Sequence, residues 1–295
     1  MSRFKVDRSR SRGLNPILVV TGGVLASLSV LMAGCEDRPG TSLRPTGATP
    51  AVPDGGSAGD ILSSTAIDEV AAGRVLGLLQ AGAFEAAEAA ATTRLEVDPD
   101  DARTRFLLGV ARQKQKRYAA GLAAIDEACA SSISFPERPH AGHFRGWCLF
   151  YLGRPEDAAD AFEAHLLVSP EEADSHFGLG VSLLESGRPV MARTSFERAI
   201  ELNDGREERR RDLAKAWIRL GDTWWETDRP EEARAAYHKG VIRYPDHYEG
   251  WEKLARALDR AGDATRAERA RNEARNARRR VGAFVEDADA DRSAE

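Results

Sequence analysis

Residues 217–245 read WIRLGDTWWETDRPEEARAAYHKGVIRYP. Trp217, Leu220, Gly221 and Trp224 fall at i, i+3, i+4 and i+7, the spacing of one helical face. Asp228-Arg229-Pro230 interrupts that pattern. Proline lacks an amide hydrogen and suits the first turn of a new helix rather than the interior of an old one. Ala233 and Tyr237, four apart, begin a second face, and Pro245 closes it. The stretch therefore predicts two antiparallel helices joined by a tight turn. Two such helices approach closely only where a side chain no larger than methyl sits at the crossing. Gly221 and Ala233 are expected to meet there, with Trp217, Leu220, Trp224 and Tyr237 filling the flanking grooves.

The pattern recurs, with copies starting near Asp68, Ala102, Pro139, Ala173, Ala214 and Tyr248, at steps of 34, 37, 34, 41 and 34 residues. Two junctions thus carry insertions. The small first-helix residue is Gly109, Gly146, Gly180, Gly221 and Ala255 in successive copies, but Val75 in the first. The large second-helix residue is Ile125, Phe162, Phe196 and Tyr237, but Ala91 in the first copy and Arg271 in the last. Degenerate outer copies are expected where one side has no neighbour to bury against. Leu152–Pro155 and Ser186–Pro189 each place Gly to end one helix and Pro to begin the next.

The string W-x2-L-G-x2-W…A-x3-Y…P closely resembles the tetratricopeptide repeat. The resemblance implies an all-α, right-handed superhelical solenoid of about six units within residues 61–281, at 68–101, 102–138, 139–172, 173–213, 214–247 and 248–281. It also implies a protein or peptide partner on a curved inner face lined by the first helix of each unit. Carried over position by position, that groove holds Phe106 and Val110 in the second unit, and His143, Trp147, Phe150 and Tyr151 in the third. Phe177 and Val181 follow in the fourth unit and Trp225 in the fifth. Its middle is expected to be aromatic, and its carboxyl-terminal end, with Asp222, Glu252, Arg256 and Asp259, charged. Aromatic side chains in a concavity anchor protein partners; the alternative is a cell-wall glycan (peptidoglycan) stacked on the same rings. The lysine and asparagine set by which some relatives clamp a terminal carboxylate is missing.

The amino-terminal segment carries an address. Arg3, Lys5, Arg8, Arg10 and Arg12 precede an apolar run from Ile17 to Ala33, which ends in Leu31-Met32-Ala33-Gly34-Cys35. A basic start, a short apolar core and small residues before a cleavage point describe a secretory signal, at 1–34. Ala33-Gly34-Cys35 resembles the bacterial lipobox, with Met32 where that family usually has leucine. The resemblance implies lipidation of Cys35 and anchorage on the periplasmic side of a cell envelope, in the inner or outer membrane. An uncleaved anchor is the alternative, its largely apolar run of 17 residues at the lower limit for a span. Residues 35–60, rich in Pro, Gly, Ser and Thr, are expected to be a flexible tether with a reach of about 25–30 Å. Residues 282–295 are expected to form an acidic disordered tail.

Chemistry in the remaining sequence is sparse. There is no Gly-rich phosphate loop, G-x-S-x-G, H-E-x-x-H or C-x-x-C, so neither an enzyme nor a cofactor is expected. His140 and His143, with His176 a unit later, are the only candidate metal ligands. Without a neighbouring acid or thiol they make a weak site, and no metal is expected. Loss of residues 1–34, which hold five basic and one acidic side chain, moves the net charge from −5 to −9. That acidity argues against nucleic acid as a partner. The basic runs at 206–211 and 269–280 read as solvated faces of a loop and a capping helix. Cys129 and Cys148 fall on neighbouring units, where a bridge is sterically open, though two separate thiols are favoured.

Overall fold

The structure, a computed structural model, describes residues 64–293, with side chains from residue 70 to 282. The expected signal at 1–34, Cys35 and the expected tether at 35–60 lie outside the described residues. Among the described residues there are twelve α-helices and no strand. They pair as α1 (Ser64–Gln80) with α2 (Phe84–Val97), α3 (Ala102–Lys114) with α4 (Tyr118–Ala130), and α5 (Ala141–Tyr151) with α6 (Pro155–Leu166). Three more hairpins follow: α7 (Ala173–Glu185) with α8 (Pro189–Asn203), α9 (Arg210–Glu226) with α10 (Pro230–Arg243), and α11 (Tyr248–Arg260) with α12 (Ala264–Ser293). The two insertions become short 3-10 turns at Arg138–His140 and Glu207–Arg209.

Each helix packs against the one before and the one after it in sequence. The first helices also touch one another, α1 on α3, α3 on α5, α5 on α7 and α7 on α9. A stack in which one set of helices converges curls toward that set, so the odd-numbered helices form the inner face.

The turn inside every unit contains one residue with positive φ: Gly82, Lys116, Gly153, Gly187, Asp228 and Gly262. Their spacing repeats the steps of 34, 37, 34, 41 and 34 residues. The left-handed conformation reverses the chain and lets the following amide cap the first helix. Gly187, for example, donates to the Leu184 carbonyl at 2.9 Å and Arg188 to Leu183 at 2.8 Å. Pro155, Pro189 and Pro230 then open the second helices.

Close approach within a unit differs in detail from the expected Gly221–Ala233 meeting. A methyl group on Gly221 would fall 2.4–2.5 Å from the Tyr237 ring. Gly180 stands in the same relation to Phe196 and Gly146 to Phe162. Glycine therefore makes room for the large ring of the second helix. Phe162 also fills the space above Gly178 of the next unit, so one fully buried ring joins units three and four.

Helix α12 runs on to Ser293, so residues 282–293 are helical rather than the expected disordered tail. A stem rich in Ala, Arg and Glu, already docked on α11, propagates at little cost per added residue. Its Ala267, Ala270, Ala274 and Ala277 are buried as one stripe. Cys148 is buried and Cys129 half-buried, and no disulfide joins them. Among the described residues no helix is long and apolar enough to cross a membrane.

Candidate interaction surface

The inner face divides into a closed half and an open half. In units two and three the chain covers its own inner helices. Residues 131–140, the first insertion, fold onto α3. Phe135 packs against Phe106 at 5.4 Å between ring centroids, and Phe144 meets the same ring edge-on at 5.6 Å. Arg103 donates to both oxygens of Glu137 over 2.8–3.2 Å, and that carboxylate is fully buried.

Several expected groove residues are consequently core residues. Phe106, Val110, His143 and Val181 are buried and offer nothing to a visitor, which corrects the expectation from sequence. Trp147 is also buried, stacked on Tyr151 at 5.9 Å and enclosed by Phe150, Phe162 and Phe177. The physical reason is convergence: where inner helices curl together, the sites flanking the packing residues meet the next helix instead of solvent. Phe150, Phe177 and Trp225 remain half-buried, and Tyr151 is exposed. The central rings pack on one another, and no broad open face is left for stacking on a sugar ring.

Histidines contribute packing there. His140, His143 and His165 gather with ring centroids 5.4 Å and 5.7 Å apart along the series His140–His165–His143. Burial, the largest influence, lowers the pKa of His140, drives that of His143 well down, and takes His165 to about 4. All three rings are therefore neutral near pH 7. His143 Nδ1 pairs with the Ser175 hydroxyl at 2.8 Å. His176 lies apart, its Nε2 on the Pro170 carbonyl at 2.9 Å. Among the described residues no group of three His, Cys, Asp or Glu is placed to hold a metal.

In units four to six the inner face opens into a cleft of about 520 Å³ between α7, α9 and α11. Its centre is Asp222. The Tyr237 hydroxyl donates to one oxygen at 2.9 Å, and the Lys253 ammonium reaches both at 2.6–2.8 Å. Arg219 adds a longer contact at 3.4 Å. Trp225 lines the cleft with the Arg260 guanidinium 5.2 Å above its ring. Glu185 and Glu226 line it too. Burial, then the Asp222 and Glu185 charges, raise the pKa of Glu226. Nearer the middle of the inner face, half-buried Asp174 is pushed up to about 7 by burial, then by Asp212 and Glu172.

Sequence reasoning reached Asp222, Trp225 and Arg256 in this cleft and missed Glu185, Arg219, Glu226 and Lys253. The available signal was position: Glu226 directly follows the predicted inner-face site Trp225, and Glu185 stands 41 residues earlier, at the equivalent place in the preceding copy. The basic runs are mostly committed to neighbours. Arg271 pairs with Glu268 at 3.2 Å and with Asp259, and Arg278 with Glu252 at 2.9 Å. Arg209 meets Asp212 at 3.3 Å, and Arg211 meets the Tyr244 hydroxyl at 2.7 Å.

Stacked α-hairpins with a converging inner set and an outer set define an α-solenoid, a class of protein whose long inner surface is its working part. Known proteins narrow the class. The tetratricopeptide repeat profile matches residues 73–137, 145–207 and 218–283, more than half the chain and two units per segment. The chain belongs to the tetratricopeptide repeat family. No curated protein matches it. Solved structures of similar fold include pilF of Pseudomonas aeruginosa, at 20% identity and TM-score 0.55, covering 69% of this chain and 88% of that one. YrrB, described as a TPR protein with an unusual peptide-binding site, is similar at 19% identity and TM-score 0.51, covering 61% and 88%. MamA is similar at 17% identity and TM-score 0.51, covering 59% and 96%. At these identities the likeness is one of fold.

Proposed function

We propose that this protein is a lipid-anchored scaffold that holds a protein partner on the inner face of units four to six, at the periplasmic surface of a bacterial envelope. The repeat fold supports a protein-interaction role. The observation that carries the reading further is the cleft between α7, α9 and α11, which stays open where the neighbouring inner face is closed by the chain's own side chains. Its lining combines a half-buried tryptophan with charged groups, the mixture that anchors and orients a protein segment.

The anchor rests on the sequence alone, on the basic start, the apolar run and Ala33-Gly34-Cys35. One lipid-bearing cysteine followed by a segment rich in Pro, Gly, Ser and Thr would keep the solenoid near a bilayer without embedding it. Feeding cells a radioactive fatty acid tests this part: the wild-type chain is labelled and sediments with membranes, and Cys35→Ala does neither. An unlabelled wild-type chain contradicts it.

Affinity capture from the same cells tests the scaffold role. A partner retained by the wild-type chain is expected to fall at least about tenfold with Trp225→Ala, as for a central aromatic anchor. Equal capture by both proteins contradicts the placement.

A further inference from the structure

We infer that the cleft between α7, α9 and α11 selects a partner segment in which a lysine or arginine stands next to a large apolar residue. The inference rests on the inner-face reading above and adds the chemistry of what is held. It comes from a contrast in how carboxylates are matched. On α9 and α11, Asp222 is held by Lys253, Arg219 and Tyr237, Glu252 by Arg278, and Asp259 by Arg271. Glu185 and Glu226 face the same cleft, yet among the described residues neither makes an ion pair or a hydrogen bond, and the one cation whose charge is felt at Glu226, Lys253, is itself held by Asp222.

Their placement is systematic. Glu185 ends α7 directly after Leu184, and Glu226 ends α9 directly after Trp225. Successive inner helices thus carry an apolar residue and then an acid one unit apart, Leu184 buried in the cleft wall and Trp225 half-buried. Half-buried Phe150 and exposed Tyr151 occupy the equivalent positions of unit three and extend the apolar row. Glu185 lies near enough for its charge to act on Glu226, whose pKa is raised by burial first, then by Asp222 and Glu185. A guanidinium or ammonium between them would offset those charges, while its apolar neighbour covers half-buried Trp225.

The cations already in the cleft do not fill this role. Arg219 and Lys253 are committed to Asp222. Arg256 lines the opposite wall, on α11. A carboxylate of the partner beside Arg256 would fix the direction in which the segment lies.

Panning a random short-peptide library on the full-length chain in detergent tests the inference. Enriched peptides are expected to carry Lys or Arg beside Leu, Phe, Trp or Met. One such peptide, synthesised with a fluorophore, is expected to bind the Glu185→Gln/Glu226→Gln double variant about tenfold more weakly, the sum of two exposed charge pairs. Its wild-type affinity should fall with added salt more steeply than that of the variant. Circular dichroism of the double variant should match the wild type, since both side chains are exposed. Acidic peptides, or equal binding by the double variant, overturn the inference. If Trp225→Ala loses binding while the double variant keeps it, the inner-face reading stands and the charge selection falls. If neither change matters, or no peptide is enriched, both fall.

Discussion

Asp222 on α9 and Lys253 on α11 form an ion pair of 2.6 Å that joins units five and six across the inner face. Both side chains are more than three-quarters buried, at 13% and 20% exposure, and Tyr237 completes the acid's hydrogen bonds. Asp222 is at once a wall of the cleft and a fastening of the stack.

Lys253→Met removes the ammonium and leaves Asp222 with Tyr237 and the distant Arg219. The expected loss is about 1–2 kcal/mol, mostly the cost of a carboxylate left poorly compensated. Asp222→Asn with Lys253→Met should lose less than the separate changes combined. Urea unfolding of the four proteins measures the coupling, and additive losses contradict it.

Gly221→Ala tests the packing of ring over glycine. The added methyl would lie 2.4–2.5 Å from the Tyr237 ring, which must move. The ring is buried and tied to Asp222, so the expected cost is about 1–3 kcal/mol. Gly77→Ala is the control, because nothing lies within 4 Å of the added carbon there. It should be neutral or slightly stabilising.

Lys116 occupies the left-handed position that glycine fills in four of the six units, at φ 61°. Lys116→Gly should stabilise the chain by about 0.5–1 kcal/mol, relief of left-handed strain outweighing the added freedom of the unfolded state. Thermal and urea unfolding both read the change, and a loss of stability contradicts it.

Acid sensitivity follows from opposed titrations. Burial sets His165 at about 4 in the fold against 6.5 in the free side chain, and His143 is displaced in the same direction. The unfolded chain therefore takes up these protons first, and stability present above pH 6.5 is lost as pH falls toward 4, by about 3 kcal/mol for His165. Asp174 acts oppositely: raised to about 7 from 3.8, it is protonated first in the fold and costs stability as pH rises through that range. Asp174→Asn should stabilise the protein at pH 8 and steepen its acid loss, whereas His165→Leu should flatten that loss. Urea midpoints across pH 4.5–8 check both signs, and parallel curves for all three proteins contradict them.

The hairpins were legible because their signals are local. Gly221, Ala233 and Tyr237 report one unit's packing, and the steps between copies reappear as the steps between left-handed turns. The inner face was less legible because it depends on how units converge. Phe106 and Val110 occupy groove positions by alignment, yet the segment bearing Phe135 and Glu137 folds over that region, and nothing in its composition sets its direction. Glu185 and Glu226 come together only after a 41-residue step, the longest in the array, is laid in three dimensions. The last helix outran its expected end because its docked stem carries the rest along.

A photo-activated crosslinker placed in living cells, one position at a time, tests the central claim most directly. At Trp225, in the open cleft, it should yield a discrete adduct with one partner. At Ile242, exposed on α10 at the outer side, it should yield none. The same adduct from both positions, or from Ile242 alone, would contradict a partner seated on the inner face of units four to six.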